Sequence, residues 1–225
     1  MRTASATGAS GRGRADSGTS DAEEGRSARK HRAIVQAATA HFLQAGYQGT
    51  SMDEIAVSAR VSKQTVYKHF SDKEKLFEAI VLATLDRAGE PLRAEIAAVH
   101  KAADVAAALR HLADSYLATV LRPEVLQLRR MIIGEAGRLP DLARLYYQRA
   151  PERTLRLLAD CFAGLADRGD LQLDDALAAA HHFAFLVIGP ALDRSLFCGG
   201  EPAPGAGSNA AAVRVFLAAY SPADR

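Results

Sequence analysis

The chain has 225 residues, 48% of them apolar and 24% charged, with a net charge of +2. That length buries a core without covalent help, and two cysteines, Cys161 and Cys198, are too few for a disulfide scaffold or a four-cysteine zinc site. No apolar run reaches the roughly 20 residues of a membrane span, and no apolar signal segment opens the chain, so a cytoplasmic location without membrane contact is expected.

The charge is unevenly placed. Residues 1–28 are neutral, residues 29–75 carry net +4, and residues 76–225 carry net −2. A basic block on a near-neutral chain suits a partner bearing phosphates, and it equally suits a solvated helical face.

Residues 1–27 are rich in Gly, Ser, Ala and Thr and lack apolar periodicity, which predicts a disordered tail. From Ala28 the pattern is helical. Ile34, Ala37, Ala38, His41, Phe42 and Ala45 form one stripe, and Gly46 stands where a helix end accepts positive φ. His41 reads as a packed or boundary residue. Three helix starts then follow between Gly49 and Ile80. Thr50 or Ser51 caps the first, with Thr50–Asp53 or Ser51–Glu54 as the reciprocal pair. Ser62 caps the second, and Ser71 with Glu74 opens a longer helix. Two short helices joined by a tight turn make a helix-turn-helix over 51–70.

The second short helix has only two large apolar anchors, Val66 and Phe70. Around them stand Ser62, Lys63, Gln64, Thr65, Tyr67, Lys68 and His69. Lysine suits guanine O6 and N7, and glutamine suits adenine N6 and N7 in a major groove. Tyr67, Lys68 and His69 suit phosphates, which set register without reading sequence. Lys73 lies in the first turn of the next helix, where backbone N–H groups also favour an anion. An ordinary solvated helix has the same spacing.

Residues 30–80 resemble the DNA-binding domain of the TetR family of bacterial regulators. The residues that carry the likeness are Phe42, Gly46 and Tyr47, the run Thr50–Ala56, Val61-Ser62-Lys63, Thr65–Phe70, and Lys73–Phe77. The resemblance implies an all-α chain. A three-helix DNA-binding domain would occupy 28–88, and a helical regulatory and dimerisation domain 89–225. It also implies a homodimeric repressor, released from a pseudo-palindromic operator by a small-molecule effector. It further implies that Thr50 or Ser51, the Ser62–Thr65 turn, Tyr67, His69 and Lys73 touch DNA. Arg60 departs from the family, which usually has Gly there. Either the turn differs slightly, which is the preferred reading, or Arg60 meets a phosphate. The stretch Arg129–Arg153 resembles an AcrR- or AefR-like regulatory domain.

The rest of the chain predicts helices at 72–99, 103–121, 123–136, 140–168, 173–197 and 208–220, separated by Pro123, Gly137, Pro140, Gly169 and the Gly199–Gly207 run. The helix at 173–197 is apolar nearly all round. One face is expected to hold Leu177, Ala180, His181, Ala184, Phe185, Ile188 and Leu192, and another Phe183, Leu186, Val187 and Pro190. Burial on two sides fits a dimer interface shared with 208–220, and Gly189-Pro190 predicts a kink or break. Tyr116, Met131, Tyr146, Tyr147, Phe162, His181, His182, Phe183 and Phe185 are the residues able to line an effector pocket. His181 and His182 point about 100° apart and do not chelate together. No cofactor, metal site or enzyme motif is found; the Gly205-Ala206-Gly207 stretch lacks a preceding strand. The rival reading is a helical small-molecule-binding or metabolic protein in which the helix-turn-helix is only structural.

Overall fold

The computed structural model describes residues 17–198 and 209–222, with side chains from Gly25 onward. Ten α-helices follow one another among the described residues. They are α1 (Ser17–Ala45), α2 (Met52–Ser58), α3 (Lys63–His69), α4 (Lys73–Val99), α5 (Val105–Val120), α6 (Pro123–Glu135), α7 (Pro140–Tyr147), α8 (Arg153–Asp167), α9 (Ala176–Cys198) and α10 (Ala210–Tyr220). No strand occurs among the described residues, and the fold is all-α.

Two apolar cores organise the helices. The head core gathers Ile34, Ala38 and Phe42 of α1, Met52 and Ile55 of α2, Val66 of α3 and Leu76 to Leu85 of α4. The body core gathers Leu92, Ile96 and Val99 of α4 with α5, α8, α9 and α10. Helix α4 belongs to both. Its 27 residues span about 40 Å at the standard rise, so the boundary between cores falls inside one rigid rod. Leu128 and Ile132 of α6 and Leu142 and Tyr146 of α7 pack on the head core, although the sequence groups both helices with the regulatory half.

Several boundaries differ from the sequence reading. The expected tail ended at residue 27, but the backbone is helical from Ser17. Extending a helix already anchored by Ile34 needs no new nucleus, so weak propensity suffices; residues 1–16 lie outside the described part. The helix expected over 140–168 is interrupted by a π turn at Gln148–Glu152, where Pro151 lacks an N–H for the α ladder. Helix α4 is capped by Asp72, whose carboxylate accepts from Lys75 N–H at 2.8 Å, while the Ser71 hydroxyl donates to Asp72. Helix α9 runs through Gly189-Pro190 without a break. Gly46 and Gly169 have positive φ at helix ends, the conformation that favours glycine there. The Gly205-Ala206-Gly207 stretch lies outside the described residues.

Helix α9 also sorts its residues differently from the two predicted faces. Ala180, Phe183, Ala184, Val187 and Ile188 are buried together, whereas Leu177, Phe185 and Leu186 are exposed. Residues one apart, such as Phe183 and Ala184, share a buried flank because α8 and α10 pack from both sides. By length and composition this 23-residue helix could cross a membrane. Its alanines extend an apolar stretch that was too short when read as a continuous run. The face packed into the body core marks it as a core helix.

Candidate nucleic-acid interface

The helix-turn-helix is held by a side-chain cap at the start of each helix, reciprocal at α2. Ser51 Oγ accepts from Glu54 N–H at 3.2 Å, and Glu54 Oε2 accepts from Ser51 N–H at 3.2 Å. This selects Ser51–Glu54 from the two predicted pairs. Ser62 Oγ accepts from Thr65 N–H at 3.1 Å and lies 2.8 Å from Thr65 Oγ1. Each cap satisfies orphan donors at a helix start and typically stabilises by about 1 kcal/mol.

Between the caps, α2 ends in a Schellman turn. Val61 N–H reaches the Ala56 carbonyl at 3.0 Å, and Arg60 N–H reaches the Val57 carbonyl at 3.1 Å. Arg60 occupies the left-handed position with φ +55°. The preferred expectation of an altered turn is therefore corrected. The turn keeps the geometry glycine would favour, and Arg60 carries the strain, about 1–2 kcal/mol for a residue with a Cβ.

Val66 is fully buried and Phe70 nearly so, which seats α3 on the head core. Residues 63, 64, 67 and 68 fall on the opposite face, and all four are exposed. Gln64, Thr65, Tyr67 and Lys68 line an open hollow of about 550 Å³. Tyr67 is 43% exposed. Lys63 Nζ lies 2.8 Å from Asp53 Oδ1, and that hydrogen-bonded carboxylate raises the lysine pKa. Both partners are exposed, so a phosphate or base acceptor can replace the carboxylate.

Two expected contact residues are occupied internally. Thr50 is 2% exposed and donates to the Gly46 carbonyl at 2.8 Å. Lys73 is half-buried. Its Nζ donates to the Tyr47 carbonyl at 2.9 Å and the Thr50 carbonyl at 3.1 Å, and sits 4.5 Å from the Tyr47 ring centre. It clips the loop between α1 and α2 onto the start of α4. Ser51, Ser62 and Lys68 remain on the surface, and Thr65 and His69 are partly exposed. Burial, then nearby His31, Lys68 and Lys30, hold the His69 imidazole below its ordinary pKa. Sequence reasoning missed His31. Its ring lies 5.0 Å from Phe70 and 5.7 Å from His69, a contact between α1 and α3 that helical spacing cannot reveal.

The residues expected around an effector are not brought together. Tyr116 and Phe162 sit in the body core, and burial pushes the Tyr116 phenol up to about 12. Tyr146 and Met131 belong to the head core, with Arg129 Nε donating to Tyr146 Oη at 3.0 Å. Tyr147 is exposed. His181, His182 and Phe185 line an open apolar hollow of about 710 Å³ between α9 and α10, while Phe183 is buried in the body core. The set divides because its members were chosen for residue type, and the helices that carry them pack into different cores or border the hollow. No group of three or more potential metal ligands occurs among the described residues.

Comparison with known proteins gives a consistent result. Residues 34–80 match the family described as bacterial regulatory proteins, tetR family, and residues 107–222 match the AefR-like transcriptional repressor, C-terminal domain. A solved structure of a putative TetR-family transcriptional regulator from Mesorhizobium loti is 40% identical, with a TM-score of 0.82 over 88% of this chain and 99% of that one. A flavonoid-responsive regulator, FrrA, is 32% identical, with a TM-score of 0.70 over 88% of this chain and all of that one. The uncharacterized HTH-type transcriptional regulator YhgD of Bacillus subtilis is 46% identical over 52 residues, 23% of this chain and 27% of YhgD. The matched stretch therefore spans about a quarter of that curated relative's length.

Proposed function

Because this chain belongs to the TetR family of bacterial transcriptional regulators, we propose that it is a homodimeric repressor whose two heads read one pseudo-palindromic operator and release it when the body binds a small molecule. The observation that carries this reading is α3. Two buried anchors fix it to the head, while Lys63, Gln64, Tyr67 and Lys68 form one exposed polar row. In this reading Lys63, Gln64 and Thr65 meet base edges, and Ser51, Ser62, Tyr67, Lys68 and His69 meet phosphates or flank them. Thr50 and Lys73 support that surface from behind.

The twin subunit is the proposed cover for α9 and α10. Phe185 is 67% exposed and Val215 56% exposed, and with Leu177 and Leu186 they form apolar surface around the hollow. Pairing through this face would set two heads on successive major grooves, about one helical turn apart.

Helix α6 supplies a mechanical link between effector and DNA. Gln127 donates to the Leu43 carbonyl at the end of α1, and Gln48 donates to Glu135 at 2.8 Å. Arg130 donates to the Leu196 carbonyl at 3.1 Å and to the Ser195 carbonyl of α9. A ligand that favours a displaced α6 shifts the head against the dimer helix, and typical coupling is about 1–3 kcal/mol. The relative described as flavonoid-responsive makes planar polyphenols the first effectors to try.

The test selects duplexes from a random library with the full chain, then measures affinity for the enriched and scrambled sequences. We expect the enriched duplex to bind at least a hundredfold tighter, and Gln64→Ala to relax preference at one base pair per half-site. Equal affinity for both duplexes defeats the repressor reading.

A further inference from the structure

We propose that Arg129, with the phenols of Tyr116 and Tyr146 beside it, receives the carboxylate of the effector, which makes that effector a small apolar acid. The proposal deepens the repressor reading by naming the chemistry of its ligand, and rests on that reading. Arg129 stands on α6 at the seam between the two cores. Tyr116 of α5 belongs to the body core and Tyr146 of α7 to the head core. Arg129 Nε donates to Tyr146 Oη at 3.0 Å, and the guanidinium carbon lies 6.0 Å from the Tyr146 ring centre. Nearby arginines have structural counterparts. Arg138 and Arg144 pair with Glu135 and Asp141. Arg130 donates to carbonyls in the last turn of α9, where the helix dipole is negative. Arg129 is half-buried, forms no ion pair, and finds no protein acceptor for either Nη group among the described residues. Drawing a cation part-way out of water without an anion is costly, and a neutral phenol satisfies only the Nε–H.

Tyr116 supplies an independent observation. It is 5% exposed, and its hydroxyl makes no hydrogen bond among the described residues. Burial, opposed by the nearby Arg129, pushes its phenol up to about 12. The group is therefore protonated at neutral pH and has an O–H to donate. A buried donor without an acceptor and a guanidinium without an anion, close enough to act on each other, fit the same ligand group, an oxyanion. Arginine takes a carboxylate on two parallel N–H groups, and the phenol adds its O–H. The cores on either side are aliphatic and aromatic, which suits an apolar remainder of the ligand. Arg129 also lies between Gln127, which bonds to α1, and Arg130, which bonds to α9. An acid drawn onto Arg129 thus acts on the helix that ties the head to the body.

The test measures binding to the full chain by calorimetry. The probes are benzoate, 3-phenylpropanoate and octanoate, each beside its primary amide, and the flavanone naringenin. We expect at least one acid to bind about tenfold or more tighter than its amide. Arg129→Met should erase that preference and leave amide affinity unchanged, and Arg129→Lys should restore part of it. Tyr116→Phe should weaken acid binding a few-fold. Circular dichroism checks each fold, and if Arg129→Met misfolds, the lysine and phenylalanine variants carry the test. Failure of every acid to bind overturns the proposal, whether or not naringenin binds. So does equal affinity for acid and amide, or an acid preference that survives Arg129→Met. The bound acid, and not its amide, should also release the library-selected duplex; binding without release overturns the effector role. If the chain enriches no duplex yet binds acids through Arg129, the repressor reading fails and the acid site stands. If a duplex is enriched and no acid binds, this inference alone is lost.

Discussion

Helices α3 and α9 leave opposite kinds of surface unpartnered. Helix α3 has seven residues, a hydroxyl cap and one fully buried side chain, and turns amide, phenol and ammonium groups outward. Helix α9 has 23 residues, one flank in the body core, and phenylalanine and leucine outward. A polar row is stable in water while it waits for a polyanion. An apolar row of this size is not ordinarily left wet. Under the proposed function the two ends take different partners: nucleic acid at the head and a second copy at the body.

The sharpest way to break this contrast compares two phenylalanines of α9. Phe183 is fully buried against Phe162 and Phe216, with ring centres 5.4 and 5.2 Å away. Phe183→Ala should cost about 3–5 kcal/mol in denaturant unfolding. Phe185→Glu should keep the folded spectrum and yield monomers in sedimentation at micromolar concentration. If Phe185→Glu remains dimeric, the apolar face has another occupant.

The next contrast separates two lysines of the head. Lys73→Ala removes two hydrogen bonds to loop carbonyls and should destabilise the chain by about 1–3 kcal/mol. Exposed Lys68→Ala should leave the melting temperature unchanged and weaken duplex binding to every sequence. Equal melting temperatures for both variants would return Lys73 to the DNA surface.

A smaller effect tests the strained turn. Arg60→Gly relieves left-handed crowding at φ +55° but gives the unfolded chain more freedom. The expected net stabilisation is about 0.5–1 kcal/mol in urea. A loss of stability would show that the arginine side chain compensates for its backbone.

The smallest effect is in pH. His69 is held below its ordinary pKa of 6.5 by burial and neighbouring cations. Just below that pH the unfolded chain binds more protons, so the head loses stability as pH falls through the window. A phosphate beside the ring acts in the opposite direction by favouring the imidazolium. Duplex affinity should therefore rise a few-fold between pH 7.5 and 6, and His69→Gln should flatten the rise. A fall in affinity on acidification would place His69 away from phosphate.

The head was legible because its determinants are local. Caps at Ser51 and Ser62, the two anchors of α3 and the glycine at the end of α1 act within a few residues, where sequence spacing is spatial distance. The cap of α4 was misread by one residue, since Ser71 and Asp72 both suit the position and only backbone geometry chose. The effector set was not legible. Tyr116, Tyr146 and Phe185 are chemically alike but lie respectively in the body core, the head core and an exposed hollow.

Sequence alone determined an all-helical chain with a short polar helix at α3 and a basic segment over 29–75, because periodicity, capping and charge are written residue by residue. Tertiary packing decided that Lys73 and Thr50 hydrogen-bond to carbonyls within the head, that α6 ties α1 to α9, and that His31 packs α1 against the end of α3. Those assignments depend on which side chains meet across long sequence separations, and helix crossing sets that meeting where local pattern cannot.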